Sequence, residues 1–157
     1  MGEVTVEQTV AAAPEVLYAL VSDVTRMGEW SPETTSCRWL GAATKATPGA
    51  KFRGTNRDGW RRWFTTCTVI TADADQRFAF DVDLGPLPVS RWTYDFAPTG
   101  NGCVVTETWH DRRAAWMLRV SPIVMGVPDR EQHNRDSMRM TLDRLRSFAE
   151  TAAPSTG

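Results

Sequence analysis

The sequence predicts an α+β fold in which a curved, seven-stranded antiparallel sheet wraps around one long C-terminal helix. Two observations support this prediction. Six consecutive segments of strand-like composition are separated by short turn sequences, and an amphipathic helical pattern closes the chain. Strands that follow one another so closely pair as an antiparallel meander, because a parallel connection needs a dozen or more residues.

The chain opens with a strand followed by two helices. Apolar and polar residues alternate over residues 4–10, which indicates the strand. Pro14 is typical of a first helical turn, and a second short helix is predicted at residues 25–27, where Gly28 ends it. One apolar stripe of the first helix is formed by Val16, Leu17, Leu20, Val21 and Val24.

Six further strands and a final helix complete the predicted order of β-α-α-β6-α. The strands are predicted at residues 36–41, 50–57, 61–72, 77–84, 89–97 and 104–111. The last helix is predicted over residues 129–151. Its inner stripe consists of Asn134, Met138, Leu142, Leu145 and Ala149. A strongly bent sheet leaves more room than this single helix fills, so the sequence predicts a cavity between them.

Length and charge restrict the classes of function. We expect one domain over residues 1–151 and a disordered tail at 152–157. The net charge of −1 gives no electrostatic reason to expect binding to nucleic acid or to an anionic membrane. The N-terminus lacks the pattern of a signal peptide, and the apolar segment 114–128 is interrupted by Arg119 and Pro122. We therefore expect a cytoplasmic protein without stable membrane insertion, as a monomer or homodimer.

Several kinds of chemistry lack their sequence motifs. The sequence contains no GxSxG, P-loop, GxGxxG or HExxH motif, so nucleophilic, phosphoryl-transfer and dinucleotide chemistry are not expected. Cys37, Cys67 and Cys103 are widely spaced and fall in strand-like runs, which is typical of small buried residues in a reducing compartment. We expect neither a metal nor a cofactor.

The chain resembles a known family in three stretches, "VSDVTRMGEWSPE", "GAKFRGTNRDGWRRW" and "REQHNRDSMRMTLDRLRSFAE". With the order of elements, they are similar to the START-like, helix-grip (SRPBCC) superfamily, in the bacterial branch called polyketide cyclase/dehydrase. The resemblance covers nearly the whole chain. It implies a deep apolar cavity for a hydrophobic or aromatic small molecule.

Strand alternation selects the residues that face this cavity. Large aromatic side chains suit stacking against a planar ligand, although each one can also simply fill the core. The expected ligand-binding residues are Trp30, Trp39, Phe52, Asn56, Trp63, Phe80, Trp92, Tyr94, Trp109 and Met138.

Three polar residues are candidates for chemistry. Glu107 shares the inward face of the last strand and is a candidate general acid or base, unless it pairs with Arg91. His133 lies near the expected mouth, with either a proton-transfer or a surface role. Asn56 can bind a ligand carbonyl or hold the adjacent turn. His110 is on the face opposite Glu107, which argues against a shared metal site.

These observations leave three functions open. The first is a carrier or sensor for a lipid or polyketide-like molecule, with segment 114–128 as an apolar lid. The second is a cyclase or dehydratase in which Glu107, His133 or Asn56 moves protons. The third is a protein-interaction module that uses the same apolar segment to bind a partner chain.

Overall fold

A computed structural model describes residues 2–114, 116 and 130–152 of the chain. It confirms the predicted fold class and the order of the elements. The strands are β1 (Glu3–Val10), β2 (Thr34–Trp39), β3 (Lys51–Asp58), β4 (Arg61–Asp73), β5 (Arg77–Leu84), β6 (Leu87–Thr99) and β7 (Gly102–Asp111). The helices are α1 (Pro14–Ser22), a 3-10 helix (Val24–Glu29) and α2 (Arg130–Ala152).

Two sequence predictions fall wholly or largely outside the described residues. Of the apolar segment 114–128, the structure describes only Ala114 and Trp116. Of the tail predicted at 152–157, it describes only Ala152, which is the last residue of α2. In the described part of the chain, no helix is long and apolar enough to cross a membrane.

The seven strands form one antiparallel sheet in the order β1-β7-β6-β5-β4-β3-β2. Consecutive strands from β2 to β7 are neighbours, as expected for short turns, and β1 joins the far edge beside β7. The β3–β4 loop is only two residues long, and Gly59 has a φ of 61°, which a residue with a side chain rarely adopts. β2 ends two residues earlier than predicted because Gly41, with a φ of 62°, lies in a turn.

The predicted inner stripe of α2 is confirmed. Asn134, Met138, Leu142, Leu145 and Ala149 are all buried. The helix contacts chiefly β1 at one edge of the sheet, while α1 lies against β5 and β6 and the 3-10 helix lies against β2. Consequently α2 does not cover the whole concave face of the sheet.

The strand faces assigned by alternation agree with burial in β3, β4 and β7, whereas four consecutive residues of β5 are buried. In β4 the side of Thr65, Cys67 and Val69 is buried, whereas Phe64 is 61% exposed despite being apolar.

The predicted apolar stripe of α1 is wrong at Val16, which is 44% exposed. Val16 lies beside the true stripe of α1, where Leu17 and Val21 fill the space against the sheet.

We predict that α2 depends on its buried leucines for its attachment to the sheet. Leu145 is fully buried, so Leu145→Ala lowers the free energy of unfolding by about 2–5 kcal/mol. Met140→Ala on the exposed side of the same helix changes it by about 0.5 kcal/mol or less. Urea unfolding followed by circular dichroism measures both, and equal losses in the two variants would contradict this packing.

Candidate functional site

A cavity of about 800 Å³ lies between the concave face of the sheet and α2. Its wall is contributed by β2 to β7, by the segment that precedes β2 and by the N-terminal half of α2. Its volume falls within the range of about 300–1,000 Å³ that is usual for small-molecule pockets. The cavity is the space that α2 leaves uncovered.

Cross-strand aromatic residues form much of the wall. Phe80, Trp92 and Trp109 lie directly opposite one another on β5, β6 and β7. Phe52 and Trp63 extend the aromatic lining onto β3 and β4. Phe52 contacts Phe80 edge to face, with ring centroids 5.3 Å apart. These rings offer flat apolar surfaces to a ligand.

The cavity opens at the end of the sheet that contains the β3–β4 hairpin. The solvent-exposed residues of its lining are found there, in the hairpin and just before β2. They are Pro32, Asp58, Trp60, Arg61 and Arg62. The rim of the cavity therefore carries both charge and an exposed indole, whereas its interior is largely apolar.

Glu107 is the buried acidic group of the cavity wall. It is 1% exposed and projects from β7 opposite Tyr94 of β6, whose side chain also lines the cavity. Burial raises the pKa of Glu107 to about 8, although hydrogen bonding with Tyr94 opposes this rise. Its Oε2 has no hydrogen-bond partner among the described residues. Glu107 is therefore a neutral carboxylic acid at pH 7 with one oxygen left for a ligand.

The alternative for Glu107, an ion pair with Arg91, is wrong. Arg91 lies on the outer face of the sheet, where its guanidinium contacts Asp81 at 2.6 Å. The register places Arg91 opposite His110 and not opposite Glu107. Neighbouring strands bring these residues close, but the pleat sends them to opposite faces.

Asn56 lines the cavity, as predicted, and does not hold the adjacent turn with its side chain. Its Nδ2 donates to Thr65 Oγ1 at 3.1 Å, and its Oδ1 accepts from Thr34 Oγ1 at 3.0 Å. These two bonds connect β2, β3 and β4 and fix the orientation of the amide. The second hydrogen of Nδ2 is the part of the amide that a ligand oxygen can use.

Trp30 and Trp39 are not among the residues that line the cavity, so the predicted placement of their indoles on its wall is wrong. Trp30 is 3% exposed and packs edge to face against Phe148 of α2, with ring centroids 5.8 Å apart. Trp39 packs in the same way against Phe52, at 5.6 Å. Trp30 belongs to the buried core, and Trp39 is a partly buried residue that packs against it.

His133 is also outside the cavity lining, so a direct role in proton transfer is not supported. It is half-buried near the start of α2, and its Nε2 lies 3.9 Å from Oε1 of Glu33. Glu33 does line the cavity, and its backbone carbonyl accepts a hydrogen bond from Arg57 N at 2.8 Å. The histidine therefore contacts the rim and not the interior.

The cysteines are free and buried, and two of them line the cavity. Burial raises the pKa of Cys37 to about 12 and the pKa of Cys67 also rises, so both remain thiols. Neither is an activated nucleophile. Within the described ranges, no group of three or more His, Cys, Asp or Glu side chains is placed to hold a metal ion.

The structure places the other predicted residues together. Phe52, Asn56, Trp63, Phe80, Trp92, Tyr94, Trp109, Met138 and Glu107 all line the cavity. Sequence reasoning missed the short polar residues Ser137 and Thr141 of α2, which line it as well. Thr141 follows Met138 by three residues, so helical periodicity could have identified it.

The comparisons with known proteins agree with this geometry. The family model described as "Polyketide cyclase / dehydrase and lipid transport" matches residues 1–148. A comparison with curated proteins finds no match.

Solved structures of similar fold extend over nearly the whole chain. The Polyketide_cyc-like protein Cgl2372 from Corynebacterium glutamicum is 27% identical, with a TM-score of 0.62 and coverage of 99% of this chain and 96% of that one. Protein NE0264 from Nitrosomonas europaea is 12% identical, with a TM-score of 0.71 and coverage of 95% and 94%. At such low identity the second comparison shows the fold alone.

A third similar structure is the di-domain ARO/CYC StfQ from the steffimycin biosynthetic pathway. It is 15% identical, with a TM-score of 0.73 and coverage of 96% of this chain. Only 51% of StfQ is covered, so the present chain spans about half of that protein. The comparison again shows the fold alone.

We predict that Glu107 makes the stability of the protein fall as pH rises. Its pKa is about 8 in the folded protein against an ordinary value of 4.5, so between these pH values the folded state holds a proton that the unfolded chain releases. The contribution of Glu107 to the free energy of unfolding is complete below pH 4.5. It is lost as pH rises towards 8, by up to about 1.4 kcal/mol for each pH unit.

Urea unfolding of the wild type and of Glu107→Gln between pH 5 and pH 9 measures this effect. The variant cannot ionise at this position, so its stability relative to the wild type rises with pH. The readout is how the difference between the two free energies of unfolding changes with pH, because a difference that is the same at every pH reports only altered packing. If the two free energies run parallel between pH 5 and pH 9, the prediction is wrong.

Proposed function

This chain belongs to the polyketide cyclase / dehydrase and lipid transport family, and we propose that it binds a neutral, largely apolar small molecule as a carrier or sensor. The observation that carries the proposal is the cavity of about 800 Å³, in which aromatic walls surround one buried neutral acid. Flat rings suit an aromatic or lipid-like framework of the ligand.

The polar groups of the cavity indicate how such a ligand is oriented. A neutral carboxylic acid both donates and accepts hydrogen bonds, so Glu107 suits a carbonyl or hydroxyl oxygen of the ligand. A ligand anion near Glu107 is disfavoured, because burial and the Tyr94 hydrogen bond are what shift its pKa and no positive charge of the described residues acts on it; the lining cation Arg113 is ion-paired with Asp111 at 2.6 Å. Asn56 offers a second donor nearer the rim. The ligand is therefore neutral and oxygen-bearing at its inner end.

The distribution of titratable groups favours binding over turnover. Acid–base catalysis usually needs a proton donor and a proton acceptor that both reach the reacting atoms. Glu107 and Tyr94 are both held neutral by burial. No histidine is found among the described lining residues, and Glu33 and Asp58 belong to the rim region. The interior thus contains an acid without an evident base.

A cyclase or dehydratase is the second candidate, because the pKa of Glu107 is about 8 and the group can therefore act as a general acid at neutral pH. In such a reaction Glu107 would protonate a leaving hydroxyl group of the ligand, which departs as water, and the carboxylate so formed would accept the proton of the neighbouring C–H bond as the double bond forms, which restores the acid. The aromatic walls would hold the chain in the required conformation. The third function, an interaction module, gains no support, because the cavity is not filled by the protein's own side chains.

We predict that a bulky side chain placed inside the cavity weakens binding. Ser137 lines the cavity from α2, whereas Ser147 of the same helix is exposed. Titration with the neutral fluorescent probe N-phenyl-1-naphthylamine should show binding to the wild type and to Ser147→Trp, and at least about tenfold weaker binding to Ser137→Trp, since the added indole narrows the cavity and competes with the probe for its walls.

Native mass spectrometry of the purified wild type adds a second measurement, in which a co-purifying apolar compound is expected. Circular dichroism checks that both tryptophan variants are folded. If Ser137→Trp folds and binds the probe as tightly as Ser147→Trp does, the cavity is not the binding site.

We predict that Glu107→Gln separates binding from catalysis. The variant keeps the size of the side chain and loses the acidic proton, so affinity for the probe changes by less than about threefold. If the protein is a dehydratase, the wild type converts an aromatic β-hydroxyketone to the conjugated enone, and the variant is at least about 100-fold slower. Absorbance of the enone follows the reaction. Absence of turnover in the wild type favours the carrier or sensor.

A further inference from the structure

The outer surface of β2, β3 and β4, together with the β3–β4 turn, carries an unusual concentration of positive charge. We call it the hairpin face. Its cations, all exposed, are Arg38, Lys51, Arg53, Arg57 and Arg62. Alternation from the buried residues Phe52, Gly54 and Asn56 places those of β3 on the outer surface.

The register places like charges directly opposite one another on this face. Arg38 of β2 lies across from Arg53 of β3, and Arg57 of β3 lies across from Arg62 of β4. Like charges at directly opposed positions destabilise a sheet, so these pairs weaken the isolated protein. An anion placed between the two guanidinium groups of a pair removes the repulsion.

The nearby carboxylates are engaged elsewhere or lie at the margin. None of the ion pairs formed among the described residues includes a cation of the hairpin face. On β5, Asp81 contacts Arg91 and Arg112, and Asp83 contacts Arg112. Asp58, at the end of β3, lies opposite Arg61. The hairpin face is therefore strongly positive although the whole chain has a net charge of −1.

Two large aromatic residues project from the same hairpin. Trp60 occupies the β3–β4 turn and is 87% exposed, and Phe64 on the outer side of β4 is 61% exposed. The guanidinium of Arg61 lies 5.8 Å from the centroid of the Trp60 ring. An exposed indole next to arginines suits the interface between lipid headgroups and acyl chains, where its N–H meets water and its ring meets the acyl chains, and the exposed phenyl group adds apolar surface beside it.

The hairpin face also adjoins the mouth of the cavity. Trp60, Arg61 and Arg62 belong to the cavity lining as well as to the hairpin. A surface that contacts the tip of this hairpin therefore also faces the opening. From this juxtaposition we propose that the hairpin face docks on an anionic phospholipid bilayer, with Trp60 and Phe64 entering the headgroup region and the arginines binding lipid phosphates.

This docking is peripheral and reversible. Cations near a charged membrane each contribute to binding, and the attraction decays within a Debye length, so it weakens with salt. Insertion of the aromatic side chains adds a contribution to the binding free energy that does not depend on salt. Neither the electrostatic nor the aromatic contribution needs a membrane-spanning helix. Docking places the cavity mouth at the bilayer surface, where an apolar ligand can enter without crossing water; this last point rests on the proposed function.

Flotation with vesicles tests the docking by itself. The vesicles contain phosphatidylcholine alone or equal parts of phosphatidylcholine and phosphatidylglycerol. The wild type should float with the anionic vesicles at low salt, much less at high salt, and hardly with phosphatidylcholine alone. Arg53→Glu/Arg57→Glu should lower the partition coefficient at least about 20-fold. Trp60→Ser/Phe64→Ser should lower it several-fold and leave the salt dependence.

Matched variants on α2 control for net charge and for lost apolar surface. Arg139→Glu/Arg144→Glu makes the same change of charge at exposed positions of α2, and Met140→Ser removes an exposed apolar group there. Both should float like the wild type. Equal losses in the α2 and hairpin variants, or no flotation of the wild type with anionic vesicles, would overturn the proposal.

Two further measurements distinguish membrane docking from the binding of an acidic macromolecule and from ligand binding in the cavity. If the soluble polyanion heparin binds as tightly as the vesicles and the aromatic double variant has no effect, the hairpin face recognises an acidic macromolecule and not a membrane. Binding of N-phenyl-1-naphthylamine to Arg53→Glu/Arg57→Glu in solution should equal that of the wild type. Docking and ligand binding can therefore fail independently of each other.

Discussion

The central constraint on this molecule is the mismatch between a strongly bent sheet and the single helix that closes it. α2 contacts β1 at one edge, and α1 and the 3-10 helix cover other parts of the concave face. The remaining space cannot collapse, because the sheet is one continuous antiparallel ladder whose curvature is fixed by backbone pairing. A cavity of about 800 Å³ is the consequence, and its largely apolar walls depend on this packing.

The same packing determines the chemistry of Glu107. A carboxyl group placed in water has an ordinary pKa, but on the concave face of β7 it is removed from solvent and has no cation beside it. The proton is retained, and the group becomes a hydrogen-bond donor inside an apolar space. Burial of Tyr94 acts in the same direction, since its pKa also rises well above the usual value. Around Glu107 and Tyr94 the interior is thus polar but uncharged, which suits a neutral ligand.

Charge is instead concentrated outside. The outer surfaces of β2, β3 and β4 hold arginines opposite arginines, and the exposed Trp60 and Phe64 belong to the same hairpin. The inner surfaces of those strands contribute Phe52, Asn56 and Trp63 to the cavity. One hairpin therefore presents a basic aromatic surface outward and a ligand wall inward, because successive side chains of a strand point to opposite faces. The two surfaces meet at the cavity mouth.

The sequence by itself determined the order of the elements, the inward face of each strand and the placement of Glu107 in the interior, because a period of two residues is a local property of a strand. It could not decide what lies opposite an inward side chain. Trp30 meets Phe148 and Trp39 meets Phe52, so both belong to the core, while His133 lies beside Glu33 at the rim. The clustering of arginines on the hairpin face was equally hidden, since it arises from strand register. Contacts between distant segments are set by tertiary packing, and only the folded chain specifies them.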